Sequence, residues 1–258
     1  MKNKTILFII WIFFLSFSEG TAFELKYLHN SGDNIKYKLE IYKKNQKTLI
    51  DIYRYIDRNE NSIIITTSFD NAQIIIGGIP QYLDTLNGQV NKTIMDEYGV
   101  ISDIQPLSSF NSINASLDVN IQRDIMNSLG ISSFPKEDLS VGSSWTKNAS
   151  KGNLNSTFFF KIEKENISYK GYNSVVEISI TSDLIIDNES EIVEVQNTTF
   201  TNGKILIRGI LYFDLTKGRI VKIDQRIKYH IVSIVLDFNG VPFISADEDE
   251  VVSILDIQ

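Results

Sequence analysis

From Ile35 onward, most of this chain alternates apolar and polar residues with period 2. Ile35, Tyr37, Leu39 and Ile41 point one way while Lys36, Lys38 and Glu40 point the other, the pattern of a strand with one face buried and one in water. The same reading holds for Ile63, Ile65, Thr67 and Phe69, for Phe158, Phe160 and Ile162, and for Tyr172, Val176, Ile178 and Ile180. It also holds for Val193 and Val195, and for Ile205, Ile207, Leu211, Phe213 and Leu215. One-sided strands joined by short turns favour an antiparallel sheet. The longest strand shows Val221, Ile223, Ile227, Tyr229 and Ile231 on one face, then inverts so that Val232, Ile234, Leu236 and Phe238 become the apolar set. A one-residue shift exchanges the two faces, so a bulge or sharp bend is expected near His230–Val232.

Turn chemistry separates the strands. Asn30–Asn34, Asn59–Asn61, Asn87-Gly88, Asn202-Gly203 and Asn239-Gly240 combine residues that tolerate positive φ, and several should close hairpins. Two turns resemble each other: Asp96-Glu97-Tyr98-Gly99 and Asp214-Leu215-Thr216-Lys217-Gly218. They suggest two β halves of similar plan, or two hairpins alike by coincidence. Gln81–Leu86 reads as a short helical turn or as another strand. Between the halves, Ile113, Leu117, Ile121, Ile125 and Leu129 recur every four residues, with Gly130 and Pro135 beyond them. That spacing predicts a helix over about 112–129 whose apolar stripe lies on the sheet.

The first 22 residues have a different character. Lys2 and Lys4 precede an apolar run from Ile6 to Leu15, and Gly20, Thr21 and Ala22 follow. This is the layout of a secretory signal peptide, too short to anchor the chain across a bilayer, with cleavage expected after Ala22 or after Gly20. The remainder, 23–258, reads as a single β domain: a β half over 23–105, a helical connection over 106–140 and a second β half over 141–258. Roughly eight to eleven strands fit that length. With 43% apolar and 22% charged residues, the exported chain can bury a core and fold. Zero cysteines exclude disulfides, thiolate metal sites and lipidation at a cleavage-site cysteine. A net charge of -7 argues against a nucleic-acid partner, which needs clustered Lys and Arg.

No catalytic constellation assembles from this inventory. His29 and His230 have no metal-binding spacing, and His230 reads as a structural or solvated residue. Gly142-Ser143-Ser144-Trp145 is not a nucleophile elbow. Asp247-Glu248-Asp249-Glu250 reads as a solvated acidic loop, because calcium needs oxygens converging from a looped backbone. Seven N-x-S/T sequons, from Asn91 to Asn197, follow from the abundance of Asn. No cofactor and no metal is expected. The aromatic residues on apolar strand faces support two readings, core packing or an apolar pocket left where the sheet does not fill its own concavity. The candidate ligand-binding set is Phe158, Phe160, Leu211, Phe213, Ile223, Ile227 and Tyr229.

Several features together resemble, in plan, the LolA-type lipoprotein carriers and the mycobacterial lipid-carrier lipoproteins among exported bacterial β proteins. They are the signal peptide, the strand entry Gly32-Asp33-Asn34-Ile35-Lys36-Tyr37, the Asp-to-Gly hairpins at Asp96 and Asp214, and Phe134–Trp145 with its Pro135, Val141-Gly142 and Trp145. The resemblance implies a mainly β fold: a curved antiparallel sheet, half-barrel or open barrel, with one main helix packed on its concave face. It further implies a periplasmic or extracellular, non-enzymatic envelope protein that holds an apolar, lipid-like ligand in the concavity. The alternative is a structural or interaction module that binds another envelope protein and no small molecule. N-terminal sequencing of the secreted product should begin at Phe23 or Thr21; Met1 on membrane-bound protein would mark the segment as an anchor.

Overall fold

The computed structural model describes residues 22–60, 62–84, 86–106, 133–151, 154–188, 199–236 and 242–258. Twelve strands belong to one antiparallel sheet. They are β1 (Asn34–Lys43), β2 (Gln46–Arg58), β3 (Ile63–Ile76), β4 (Ile79–Tyr82), β5 (Val90–Met95), β6 (Ile101–Pro106), β7 (Ser144–Lys151), β8 (Leu154–Tyr169), β9 (Tyr172–Asn188), β10 (Thr199–Asp214), β11 (Arg219–Leu236) and β12 (Pro242–Ile257). The order across the sheet is β6-β5-β3-β2-β1-β12-β11-β10-β9-β8-β7, with β4 paired to β3. This is an up-and-down meander whose first and last strands are joined at the centre, and whose outermost strands among the described residues are β6 and β7.

The sheet is open, and the described residues contain no helix. This corrects the half-barrel with a helix across its concave face. The stretch 112–129, where the four-residue spacing predicts that helix, lies outside the described residues. Extended chain covers the apolar face at one end instead. Residues 23–30 form a strap whose Leu25, Tyr27 and His29 are buried, and Phe134 and Leu139 of the segment 133–140 join them. The strap has a period-2 pattern of its own, and an extended segment with one apolar side can cover a sheet as a helix stripe does.

Backbone hydrogen bonds pin the strap at three points. Phe23 and Leu139 exchange N–H···O bonds of 2.8 Å, the Tyr27 N–H donates to the Glu97 carbonyl at 2.6 Å, and the Leu28 N–H donates to the Gly218 carbonyl at 3.2 Å. Glu97 and Gly218 belong to the two turns that resemble each other in sequence, so both turns grip the same strap. Their aspartates play matching parts. Asp96 Oδ1 accepts from the N–H groups of Tyr98 and Val100, and Asp214 Oδ1 accepts from Thr216. Tyr27 then packs against Phe134 and Phe213, with ring centroids 5.5 and 5.6 Å away.

Several local expectations are corrected. The ladder between β11 and β12 runs unbroken from Lys222 to Leu236, so no register shift falls at His230–Val232. The irregularity lies at the other end of β11, where Tyr212 faces Lys222 but Phe213 faces Ile220. Val221 is the extra residue, and both Ile220 and Val221 are buried. Asn202-Gly203 lies within β10, Asn239-Gly240 lies outside the described residues, and the Ile79–Tyr82 strand takes up the start of the ambiguous 81–86 stretch. The acidic run 247–250 is part of β12, with Glu250 paired to Arg226 and Lys228 across the ladder.

Gly218 is where strap and sheet approach most closely. It has φ +55, and a Cβ built there would lie 2.1 Å from the Leu28 nitrogen and 2.6 Å from the Lys26 carbonyl oxygen. Gly218→Ala should therefore destabilise the fold by roughly 2 to 4 kcal/mol, combining left-handed strain with displacement of the strap. Gly32→Ala, at φ +91 with nothing within 4 Å, should cost only the backbone part, about 1 kcal/mol. Urea denaturation of the two variants checks the difference.

Candidate functional site

Antiparallel pairing aligns the residues of the apolar face into transverse rows, because residues opposite one another on neighbouring strands share a face. One row reads Ile162, Ile178, Leu211, Ile223, Leu255, Leu39, Ile50 from β8 to β2, and every member is buried. The next row toward the far end is Trp145, Phe160, Ile180, Gly209, Gln225, Ser253, Ile41, Thr48. It is still largely buried but admits polar groups. One step further come Lys147, Phe158, Ser182, Ile207, Ile227, Val251 and Lys43, of which Lys147, Phe158, Ile207, Ile227 and Lys43 are half-buried. Leu184, Ile205, Tyr229 and Asp249 follow. Burial of the large apolar side chains thus lessens along the strands, from the strap to this mouth, where Ser182, Val251 and the Asp249 side chain stay buried.

The seven candidate residues all lie on this face, at different depths. Phe213, Leu211, Ile223 and Phe160 are buried in the close-packed part. Phe158, Ile227 and Tyr229 are half-buried at the mouth and pack against that core. Charged groups border them. Lys147, cross-strand from Phe158, has its pKa lowered by burial alone. On the other side, Lys43 Nζ lies 5.5 Å from the centre of the Tyr229 ring, and the inward Asp249, with its side chain 6% exposed, pairs with Lys44 at 3.3 Å. An apolar patch edged by amines and a phenol suits a molecule with an apolar body and a polar end.

A second cluster, which the sequence reading did not single out, occupies the sealed end. Arg54 stands between Ile52 and Ile56 on the apolar face of β2, its Cζ 5.2 Å from the centre of the Tyr37 ring. Tyr37 is buried and donates its hydroxyl hydrogen bond to the Ile220 carbonyl, 3.0 Å away. The residue before Ile220, Arg219, stacks on Tyr172 at 5.3 Å and donates to its hydroxyl at 2.9 Å. His29 of the strap is 3% exposed and stacks on Tyr27. Burial and the charge of Arg54 lower its pKa to about 4; Asp33 acts the other way, while Arg219 and Arg58 add to the fall. One signal was available in the sequence: Arg54 and His29 interrupt otherwise apolar inward positions.

A polar cleft of about 220 Å3 lies nearby, lined by Arg58, Glu60, Ser62, Ile63, Asp96, Glu97, Tyr98 and Lys136. Tyr98 donates to Glu24, which pushes the phenol pKa up to about 12. Among the described residues no group of three His, Asp or Glu is placed to hold a metal ion, and no helix is long and apolar enough to cross a membrane. No protein-family model matches the sequence, and no curated protein matches it either.

The state of His29 makes stability pH-dependent. Its folded pKa of about 4 lies below the ordinary 6.5, so below pH 6.5 the unfolded chain takes up a proton that the native one refuses. Stability is full above pH 6.5 and falls as the pH drops toward 4, by roughly 3 kcal/mol in all. Urea unfolding should register most of that loss already by pH 5, and His29→Gln should flatten the slope between pH 6.5 and 5.

Proposed function

We propose that this chain is an exported, non-enzymatic envelope protein that binds an apolar, lipid-like ligand at the open mouth of its sheet. The observation that carries this reading is the graded burial of one continuous apolar face. Leu211 and Ile223 are sealed, while Phe158, Ile207, Ile227 and Tyr229 continue the same face only partly buried. Exposed apolar surface of this kind, rimmed by polar groups, marks an interaction site. Burying acyl methylenes against it gives about 0.8 kcal/mol each. The plan resemblance to exported lipid carriers and the signal-peptide layout of residues 1–22 support the same reading. Lys147 places an amine where a ligand's polar end would emerge.

A second reading rests on a different feature. β6 and β7 each pair on one side only among the described residues, and a free edge can accept a strand from a protein partner. The two readings separate in one experiment. A fluorescent fatty acid should bind the purified protein with micromolar affinity, about -8 kcal/mol. Ile227→Asp should weaken that binding at least tenfold and cost less stability than a charge at the fully buried Ile223, because Ile227 is only partly buried. Leu211→Trp should instead cost about 1 to 3 kcal/mol of stability through overpacking. Absence of fatty-acid binding by the parent protein would leave the edge-pairing module as the better account.

A further inference from the structure

The sealed end of the sheet holds two half-buried arginines that form no ion pair among the described residues. The Nε of Arg54 and of Arg219 is buried, and no described residue offers it a hydrogen-bond acceptor. His29, nine-tenths and more buried, likewise leaves its Nδ1 without a partner. Two acidic residues lie close by. Asp33 accepts from the Asn30 N–H. Asp214 faces Arg219 in the ladder and directs Oδ1 to Thr216, while its Oδ2 is buried without a hydrogen-bond partner and makes no ion pair with either arginine.

Withdrawing guanidinium groups from water without an acceptor is unfavourable, and each unsatisfied donor adds to the cost. The tyrosine faces offset part of it and fix the planes of the two guanidiniums. What they do not supply is an oxygen for either Nε. Tyr37 ties the cluster together: its ring carries Arg54, its hydroxyl holds the carbonyl of the residue after Arg219, and both arginines act on it electrostatically. His29 feels the same two charges, so the three unsatisfied groups share one neighbourhood.

We propose that Arg54, Arg219 and His29 form a binding site for a phosphate group, free or carried as a monoester on a larger molecule. Planar guanidinium forks match the oxygens of such a group, and two of them balance a dianion. His29, neutral at physiological pH, contributes a donor without adding a third charge. The site is separate from the apolar mouth. Arg219 and Ile227 are eight residues apart on one strand, about 26 Å at about 3.3 Å per residue, so the success or failure of lipid binding leaves this inference untouched.

With two histidines in the chain, proton–carbon spectra of the folded protein contain one Cε1–H signal for each. His230 is exposed beside Glu248 and serves as the internal reference. At pH 7 and constant ionic strength, inorganic phosphate replacing chloride should shift the His29 signal saturably and leave that of His230 in place. Arg54→Gln and Arg219→Gln should each weaken the response at least tenfold, whereas Arg58→Gln, at an arginine that bonds the His29 backbone carbonyl and already pairs with Glu97, should preserve it. The thermal midpoint of the parent protein, which needs no variant, should rise in phosphate relative to chloride. Tighter binding of glycerol phosphate would identify a monoester as the ligand, and tighter binding of inorganic phosphate the free ion. An unmoved His29 signal in the parent, or equal responses in parent and both arginine variants, would overturn the proposal.

Discussion

The contact between residues 26–28 and Gly218 holds the apolar face of this sheet closed at one end. A sheet with one apolar face must cover it, and here, among the described residues, the cover at that end is extended chain, the strap together with residues 133–140, with little local stability of its own. It stays because carbonyls of two turns accept hydrogen bonds from consecutive strap N–H groups, and because Gly218 has no Cβ to hold it away. Tyr27, Phe134 and Phe213 then pack edge-on and tilted beneath it, arrangements that add to the gain from burial alone. The same contact places His29 beside Arg54 and Arg219, so closure of the core and assembly of the cationic cluster are one event.

Much of the sheet was legible because period 2 has few interpretations. Ile35, Tyr37, Leu39 and Ile41 are all buried as the alternation requires, and so are Phe160, Ile162, Leu211, Phe213 and Ile223. The seven candidate residues fall on one face for the same reason. Depth was not legible: alternation gives the side of a residue, whereas its distance from the strap depends on register between strands far apart in sequence. Phe158 and Phe160 look equivalent in the sequence, yet one lies at the mouth and the other in the core. The acidic run 247–250 was misread because charge was weighed above position; paired with Arg226, Lys228 and Lys44, it is compatible with a strand. The cover was assigned to 112–129 because the strap's short alternation, Leu25, Tyr27 and His29, is less conspicuous than a stripe of five aliphatic residues.

Polar groups divide the apolar face without breaking it. Gln225, Ser253, Ser182 and Thr48 are buried between fully aliphatic rows and the mouth. Gly209 leaves room for Gln225, whose Cγ would lie 2.8 Å from any Cβ at that position. Such groups contribute less to collapse than aliphatic ones, but their need for partners fixes register. Long strands with interchangeable Ile and Val residues would otherwise slip by two positions at small cost.

Joining β1 to β12 at the centre of the sheet has a consequence for biosynthesis. The first three strands are complete within the first third of the chain, but the partner that protects the outer edge of β1 is the last of the twelve strands to be made. Until residue 257 has left the ribosome, Tyr37, Leu39 and Ile41 border an unpaired edge, and the strap has no Gly218 turn against which to dock until synthesis has passed β10. Non-local pairing of this kind is slow to form. The central ladder therefore closes only after β12 has been made, however early β1 to β3 are complete.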